Sequence, residues 1–278
     1  MFLVTGATGN VGRHVLTQLL TQGHKVRALS RRPDKAAWPI EVEVVAGDLT
    51  DRTALAAALS GVEAAFLLAA PGCGPDFAAA AESAGVGRVV LMSSGAVGDA
   101  SAEVRASAIA AYHAEVEHAL QASRLEWTFL RPGAFAANSL GWASQTKTGD
   151  VIRGAYAEAT SAPIHEADIA DAAVAALTRD GHGGQAYRLT GPDSLTNAEL
   201  ARILGQTLGR PIAYQELPPE QVRAAMTGHV PAPIVDSLLA IWAASVGRPA
   251  EVTSDVEKVT GHPARSFSAW VADHAQDF

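Results

Sequence analysis

Residues 5–12 read Thr5-Gly6-Ala7-Thr8-Gly9-Asn10-Val11-Gly12, set between an apolar run, Met1–Val4, and a segment with helical apolar spacing. No other feature narrows the fold so far. Gly6, Gly9 and Gly12 suit a buried strand that turns sharply into a helix. The first glycine permits the turn, the second lets the backbone approach a pyrophosphate, and the third lets the helix pack close to the sheet. Backbone N–H groups of Thr8, Asn10 and Val11, with the positive end of the helix dipole, then face the phosphates. In this context the motif predicts a dinucleotide site.

The first half of the chain alternates strands with helices. A helix over 10–22 places Val11, Val15, Leu16, Leu19 and Leu20 on one stripe and stops at Gly23. Strands are predicted over 25–30, 42–46, 64–69, 88–93 and 127–130. Asp51 can cap an alanine-rich helix that stops at Gly61, and a long helix is predicted over 103–123. Near-continuous apolar strands separated by helices mean a parallel sheet covered on both faces. The expected fold is therefore α/β, a Rossmann-type doubly wound parallel sheet.

After Arg131-Pro132-Gly133 the rhythm changes. Residues 134–166 read as loop and short helix, and Asp168 can cap a helix through Leu177. A strand over 186–190 is predicted to return to the sheet. Thr196-Asn197-Ala198-Glu199 is a capping box that opens a helix ending at Gly209. A short strand over 212–216 and helices from Pro218, from Pro231 and over 266–274 follow. The expected division is a cofactor-binding core over 1–133 and a smaller, mostly helical substrate lobe over 134–278, with 168–191 returning to the core.

Bulk properties bound the partners. A formal net charge of −8, with no basic stripe, argues against a nucleic-acid surface. No apolar run is long enough to span a bilayer. Cys73 is the only cysteine, and in Pro71-Gly72-Cys73-Gly74 it reads as a small loop residue. A chain without disulfides, with its nucleotide loop at residue 5 and so no room for a targeting peptide, is expected in the cytoplasm. A small-molecule substrate is expected, and a homodimer is compatible with the sequence.

The end of the second strand discriminates between dinucleotides. NAD sites place a carboxylate there for the ribose 2′-hydroxyl. Here the strand ends in Ser30-Arg31-Arg32-Pro33, with no acid before Asp34. Two guanidiniums match a 2′-phosphate, so NADPH is expected and NADH disfavoured. Asp48-Leu49, after the third strand, suits the adenine edge. Ala69-Ala70-Pro71, after the fourth, lets the nicotinamide ribose approach the backbone.

These motifs, with Gly47-Asp48-Leu49 and Ser93-Ser94-Gly95, resemble the atypical short-chain dehydrogenases. The stretches 112–117 and 125–133, with Asp168-Ile169-Ala170 and Tyr187-Arg188-Leu189-Thr190-Gly191-Pro192, narrow the resemblance to the NmrA-like branch, which includes flavin-free NADPH:quinone oxidoreductases. The resemblance implies that Pro132, Gly133 and Phe135 line the nicotinamide and that no flavin is used. It also implies a substrate pocket that includes Phe135, Asn138, Trp142, Tyr156, His165 and Trp242. The same aromatic residues would equally serve as core of the small lobe.

The acid chemistry is less regular. Better-known short-chain dehydrogenases pair Tyr with a Lys four residues on, which lowers the phenol pKa. Here Tyr112 is followed at that spacing by Val116. Ser93, Tyr112 and His165 are the candidates for polarising a substrate. His113 and Glu117, also four apart, form either a proton relay or a surface helix pair. No spacing suggests a metal site. Hydride addition to a quinone gives a stabilised phenolate, whereas a simple ketone gives a basic alkoxide that needs a donor. The expectation is an NADPH-dependent reductase of small quinones, enones or other conjugated carbonyls. The alternative is a non-catalytic NADP(H) sensor that regulates a protein partner.

Overall fold

The structure is a computed structural model that describes all residues, Met1–Phe278. Its first strands are β1 (Phe2–Thr5), β2 (Val26–Ser30), β3 (Val42–Ala46), β4 (Ala64–Leu68), β5 (Arg88–Met92) and β6 (Glu126–Pro132). The lobe segment adds β7 (Val151–Gly154) and β8 (Thr160–Ser161) before β9 (Gln185–Leu189) returns to the sheet. Two further short strands are β10 (Leu195–Thr196) and β11 (Ala213–Glu216). Seven strands pair in parallel in the order β3-β2-β1-β4-β5-β6-β9, the doubly wound arrangement read from the sequence. The order reverses between β1 and β4, so the crevice for ligands lies above the carboxyl ends of those strands.

The helices are α1 (Gly12–Thr21), α2 (Arg52–Leu59), α3 (Gly74–Ser83), α4 (Ala102–Arg105), α5 (Ala108–Gln121), α6 (Ala143–Thr146) and α7 (Glu166–Thr178). The lobe continues with α8 (Asn197–Thr207), α9 (Pro219–Thr227), α10 (Ala232–Ser245), α11 (Asp255–Thr260) and α12 (Phe267–Asp273). Val4, Phe66 and Leu130 face α1 and α7, while Leu3, Leu67 and Phe129 face α2, α3 and α5. Strand alternation thus feeds two cores, one on each face of the sheet. No helix is long and apolar enough to cross a membrane.

Several local expectations change. The helix predicted over 103–123 is two helices, because Ser101 and Ser107 each cap a new start through their side-chain oxygens. Pro71-Gly72-Cys73-Gly74 leads into α3, where Pro75 fits the first turn and Cys73 is fully buried. Burial pushes its thiol pKa up, so Cys73 is inert core rather than the small loop residue expected. Residues 134–166 carry strands: β7 pairs in parallel with β11, and β8 pairs antiparallel with β10. Asp51 and the Thr196–Glu199 box cap α2 and α8 as expected. Asp168 does not cap α7; His165 does, and Asp168 is buried inside the first turn.

The exposed edge of β9 is closed by the chain that follows the lobe. Asp255 accepts from the Arg188 N–H at 2.9 Å, and the Thr253 hydroxyl donates to the Arg188 carbonyl. Side chains thereby satisfy a sheet edge that would otherwise offer itself for pairing.

Candidate active site

Gly6 adopts φ +61°, and a Cβ there would lie 2.5 Å from Leu68 at the tip of β4. A Cβ on Gly12 would lie 2.2 Å from the Gly6 carbonyl oxygen. The loop is therefore folded back on itself as tightly as backbone allows. Gly9 donates to the Gly6 carbonyl at 2.9 Å, and Thr8, Gly9 and Asn10 stand exposed. No side chain caps α1, and no acid occupies its first turn. These are the conditions for a phosphate group at a helix N-terminus, and the residues fit a dinucleotide pyrophosphate.

Arg31 and Arg32 project into solvent beyond β2, beside the strand that carries this loop. Arg31 approaches Asp48 at 3.9 Å. Asp48 is itself held by the Thr50 N–H and hydroxyl at 3.0 and 2.8 Å, bonds that keep its carboxyl below the usual range. Ala69 and Ala70 are half-buried and Pro71 is exposed at the end of β4. The next N–H, of Gly72, donates to Glu115 on α5 at 3.2 Å. The segment that follows β6 packs against the start of α7: Ala136 donates to Ile164 and Ile164 to Ala134, both at 2.9 Å. Gly133, Phe135 and their neighbours are thus fixed beside the tip of β6.

The acceptor end departs from expectation. Ser93 is 3% exposed, and its hydroxyl donates to Glu117 at 2.6 Å. Glu117, also 3% exposed, accepts in bidentate fashion from Arg131 at 2.9 and 2.5 Å. The Ser93 hydroxyl spends its one O–H on a carboxylate and is not free to polarise a substrate. His113 and Glu117 form neither a relay nor a surface pair: both are buried, and each bonds a different partner. Nδ1 of His113 donates to the Ile109 carbonyl at 2.7 Å, and burial lowers the pKa of the ring. The Tyr112 ring lies 4.0 Å from that of His113, and burial raises its phenol pKa. Val116 is fully buried, and a Cβ on Gly74 of α3 would reach its Cα at 2.9 Å. The position where a lysine would assist Tyr112 is walled off by a neighbouring helix.

His165 is turned the other way. Its Nδ1 accepts from the Ala167 N–H at 3.1 Å, which leaves the proton on Nε2, 3.2 Å from Asp273. It works as a helix cap within a seam of acids, of which Glu166 and Asp168 are buried, and its free N–H is turned to Asp273. Glu166 accepts from Trp270 and His274, each at 2.8 Å. Asp168 and Asp171 both bind Arg265, and Asp171 also meets His262 at 3.1 Å and Gln18 at 2.6 Å. Asp168, Asp171 and His262 offer ligand atoms within 4.8 Å of one another, but the Arg265 guanidinium already bonds both carboxylates.

The lobe residues fall into different places. Asn138 is exposed; Phe135 and Trp142 are half-buried, and both pack on the lobe core. Trp142 meets Tyr214 edge-on at 6.1 Å. Tyr156 adopts φ +52°, the left-handed region that a bulky residue rarely enters, and its carbonyl is held by the Asn197 amide at 3.0 Å. Trp242 is half-buried on α10, the helix that packs on α4 and the start of α5. The expected residues therefore do not converge on one point. Tyr112 lies on α5, the helix whose Glu115 takes the Gly72 N–H, while Ser93 and His165 are engaged elsewhere.

Glu117 is the site residue that sequence reasoning misplaced. Its signal was present: Ala110, His113, Glu117 and Leu120 form the buried stripe of α5, and an acid in such a stripe must have a partner. A guanidinium at the end of an apolar strand, Arg131, was that partner.

Comparison with known proteins bears on the same surface. Residues 6–180 match the model of the NAD(P)H-binding family. The chain is 41% identical to a (4-alkanoyl-5-oxo-2,5-dihydrofuran-3-yl)methyl phosphate reductase of Streptomyces griseus, over 100% of this chain and 99% of that protein. It is 35% identical to an NAD(P)H azoreductase of Xenophilus azovorans, over 100% and 99% of the two chains. Among solved structures it superposes on an NADPH-dependent quinone oxidoreductase of Escherichia coli with a TM-score of 0.83 and 28% identity, covering 99% of this chain and 100% of that one.

Proposed function

This chain belongs to the NAD(P)H-binding family of atypical short-chain dehydrogenases, as an NAD(P)H-dependent reductase, and on that premise we propose that it reduces a small conjugated carbonyl. The preferred class is an unsaturated lactone, enone or quinone, and the preferred cofactor is NADPH. One observation carries the reading. The Ser93 proton is committed to Glu117, and Val116 fills the place of an assisting lysine, so Tyr112 is the remaining donor at this end. An unassisted phenol whose pKa is raised by burial suits acceptors that need little proton help.

The bound dinucleotide supplies the hydride. Gly6, Gly9, Gly12 and the first turn of α1 hold its pyrophosphate, and Arg31 and Arg32 receive the 2′-phosphate. Pro132, Gly133 and Phe135 would line the nicotinamide. The negative charge that follows hydride addition spreads over the conjugated oxygen, where Tyr112 donates a hydrogen bond and solvent completes protonation. Residues 1–133 serve the cofactor and 134–278 the acceptor, with 168–191 returning to the core. The 41% identity to a reductase of a butenolide phosphate over the full chain supports a conjugated lactone within this class.

The test is a steady-state panel with NADPH and NADH against a butenolide, an enone, a quinone and a saturated ketone. Conjugated acceptors should be reduced about 100-fold or more faster than the ketone, the span that a general acid normally supplies. Equal rates would overturn the reading.

A further inference from the structure

At the acceptor end one carboxylate gathers three elements. Glu117 belongs to α5; its partners are Ser93, just past the tip of β5, and Arg131, near the end of β6. All three hydrogen bonds are short, and two form a planar bidentate pair. Buried ion pairs contribute little to stability against apolar replacements of the same size. Their bonds are directional, however, and a bidentate pair fixes relative orientation as an apolar contact does not. The other ties near the start of α5 are weaker in direction. Ala110 packs on α4 and α10, and Glu115 takes one N–H from Gly72 at 3.2 Å.

Tyr112 lies little more than one turn before Glu117 on the same helix. Its hydroxyl makes no bond that would place it within the protein, and the packing of Val116 against α3 excludes a lysine partner. The height of the phenol over the strand ends is therefore set by where α5 is fastened. We propose that Glu117 is the positioning residue of the acceptor end. Anchored by Ser93 and Arg131, it fixes α5 over β5 and β6 and so places the Tyr112 hydroxyl. Ser93 serves this anchor and has no part in polarising the substrate. The inference rests on the reading that the acceptor is reduced at this end.

The experiment uses the full chain with NADPH and the best acceptor found for the wild type. Glu117→Gln keeps the size of the side chain and loses the ion pair. It should lower kcat about tenfold, with the Kd for NADPH moving less than about twofold, because a displacement well under 1 Å already costs this much. The isotope effect from deuterium at C4 of the nicotinamide should rise as hydride transfer becomes limiting. Ser93→Ala should show a smaller loss in the same direction. In a Tyr112→Phe background, Glu117→Gln should add almost nothing, since the group it places is gone. Glu126→Gln, which removes one of several partners of Arg88 at the amino ends of β5 and β6, is the control for a stability loss alone. If kcat and Tm fall together in both Glu variants, Glu117 is only structural. Full additivity with Tyr112→Phe would also overturn the proposal. A wild type that reduces no conjugated acceptor would instead refute the functional reading on which it rests.

Discussion

The two halves of the sheet's carboxyl edge are built from different materials. Above β1 and β2 the site is backbone: glycines, free N–H groups and the open end of α1. Above β5 and β6 it is side chain against side chain, with Ser93, Glu117 and Arg131 locked together and Val116 sealed behind them. A backbone site is specified by a few adjacent residues and tolerates few substitutions. A side-chain site is assembled from distant segments and can be retuned by changing one partner. The first half thus suits an invariant ligand, and the second a substrate that differs among relatives.

The largest effect should come from Gly12→Ala. Its methyl would fall 2.2 Å from the Gly6 carbonyl, so the loop must open. Overpacking of this kind costs about 1–3 kcal/mol, and the Kd for NADPH, followed by fluorescence titration, should rise about 100-fold. Unchanged affinity would break the claim that backbone closeness makes this half. Next, Arg131→Met leaves Glu117 buried without its cation. The loss should be about 3 kcal/mol in urea unfolding, the low end for a broken buried pair because Arg131 is partly exposed. Arg31→Ala should reduce the preference for NADPH over NADH about tenfold, the worth of one charge-assisted hydrogen bond, with kcat/KM for both cofactors as the measurement.

The smallest effect is the response to acid. Burial holds His14 and His113 below their ordinary value of 6.5. As pH falls through 6.5 the unfolded chain takes up protons first, so stability declines until the lowered folded values are reached. Melting curves between pH 7 and 5 should show this decline, and His113→Asn should flatten part of it.

The same contrast governs how much was legible in the sequence. The glycine loop, the strand rhythm and the return of β9 follow from adjacent residues and apolar spacing, and they were readable. The Thr196–Glu199 box was readable for the same reason. The break between α4 and α5 was missed because Ser107 resembles any helix serine until its side chain is seen to cap Ala110. α3 was hidden because Gly72-Cys73-Gly74-Pro75 carries the marks of a turn, while proline also fits a first helical turn. Asp168 looked like a cap, but its partner Arg265 is 97 residues away. Ser93 and His165 were plausible acids by position and lost that role to Glu117 and Asp273, partners that local spacing does not reveal.

The seam on α7 has a consequence for how the chain comes into being. Synthesis delivers the sheet first, and domains begin to fold as they emerge. Yet Glu166, Asp168 and Asp171 find most of their partners in residues 262–274. A nascent chain that has already made α7 therefore holds three acids whose main partners do not yet exist. Burying them early would be costly, so α7 should dock onto the sheet late, after the last helix has left the ribosome. The lobe's final turn would then be the step that commits the core.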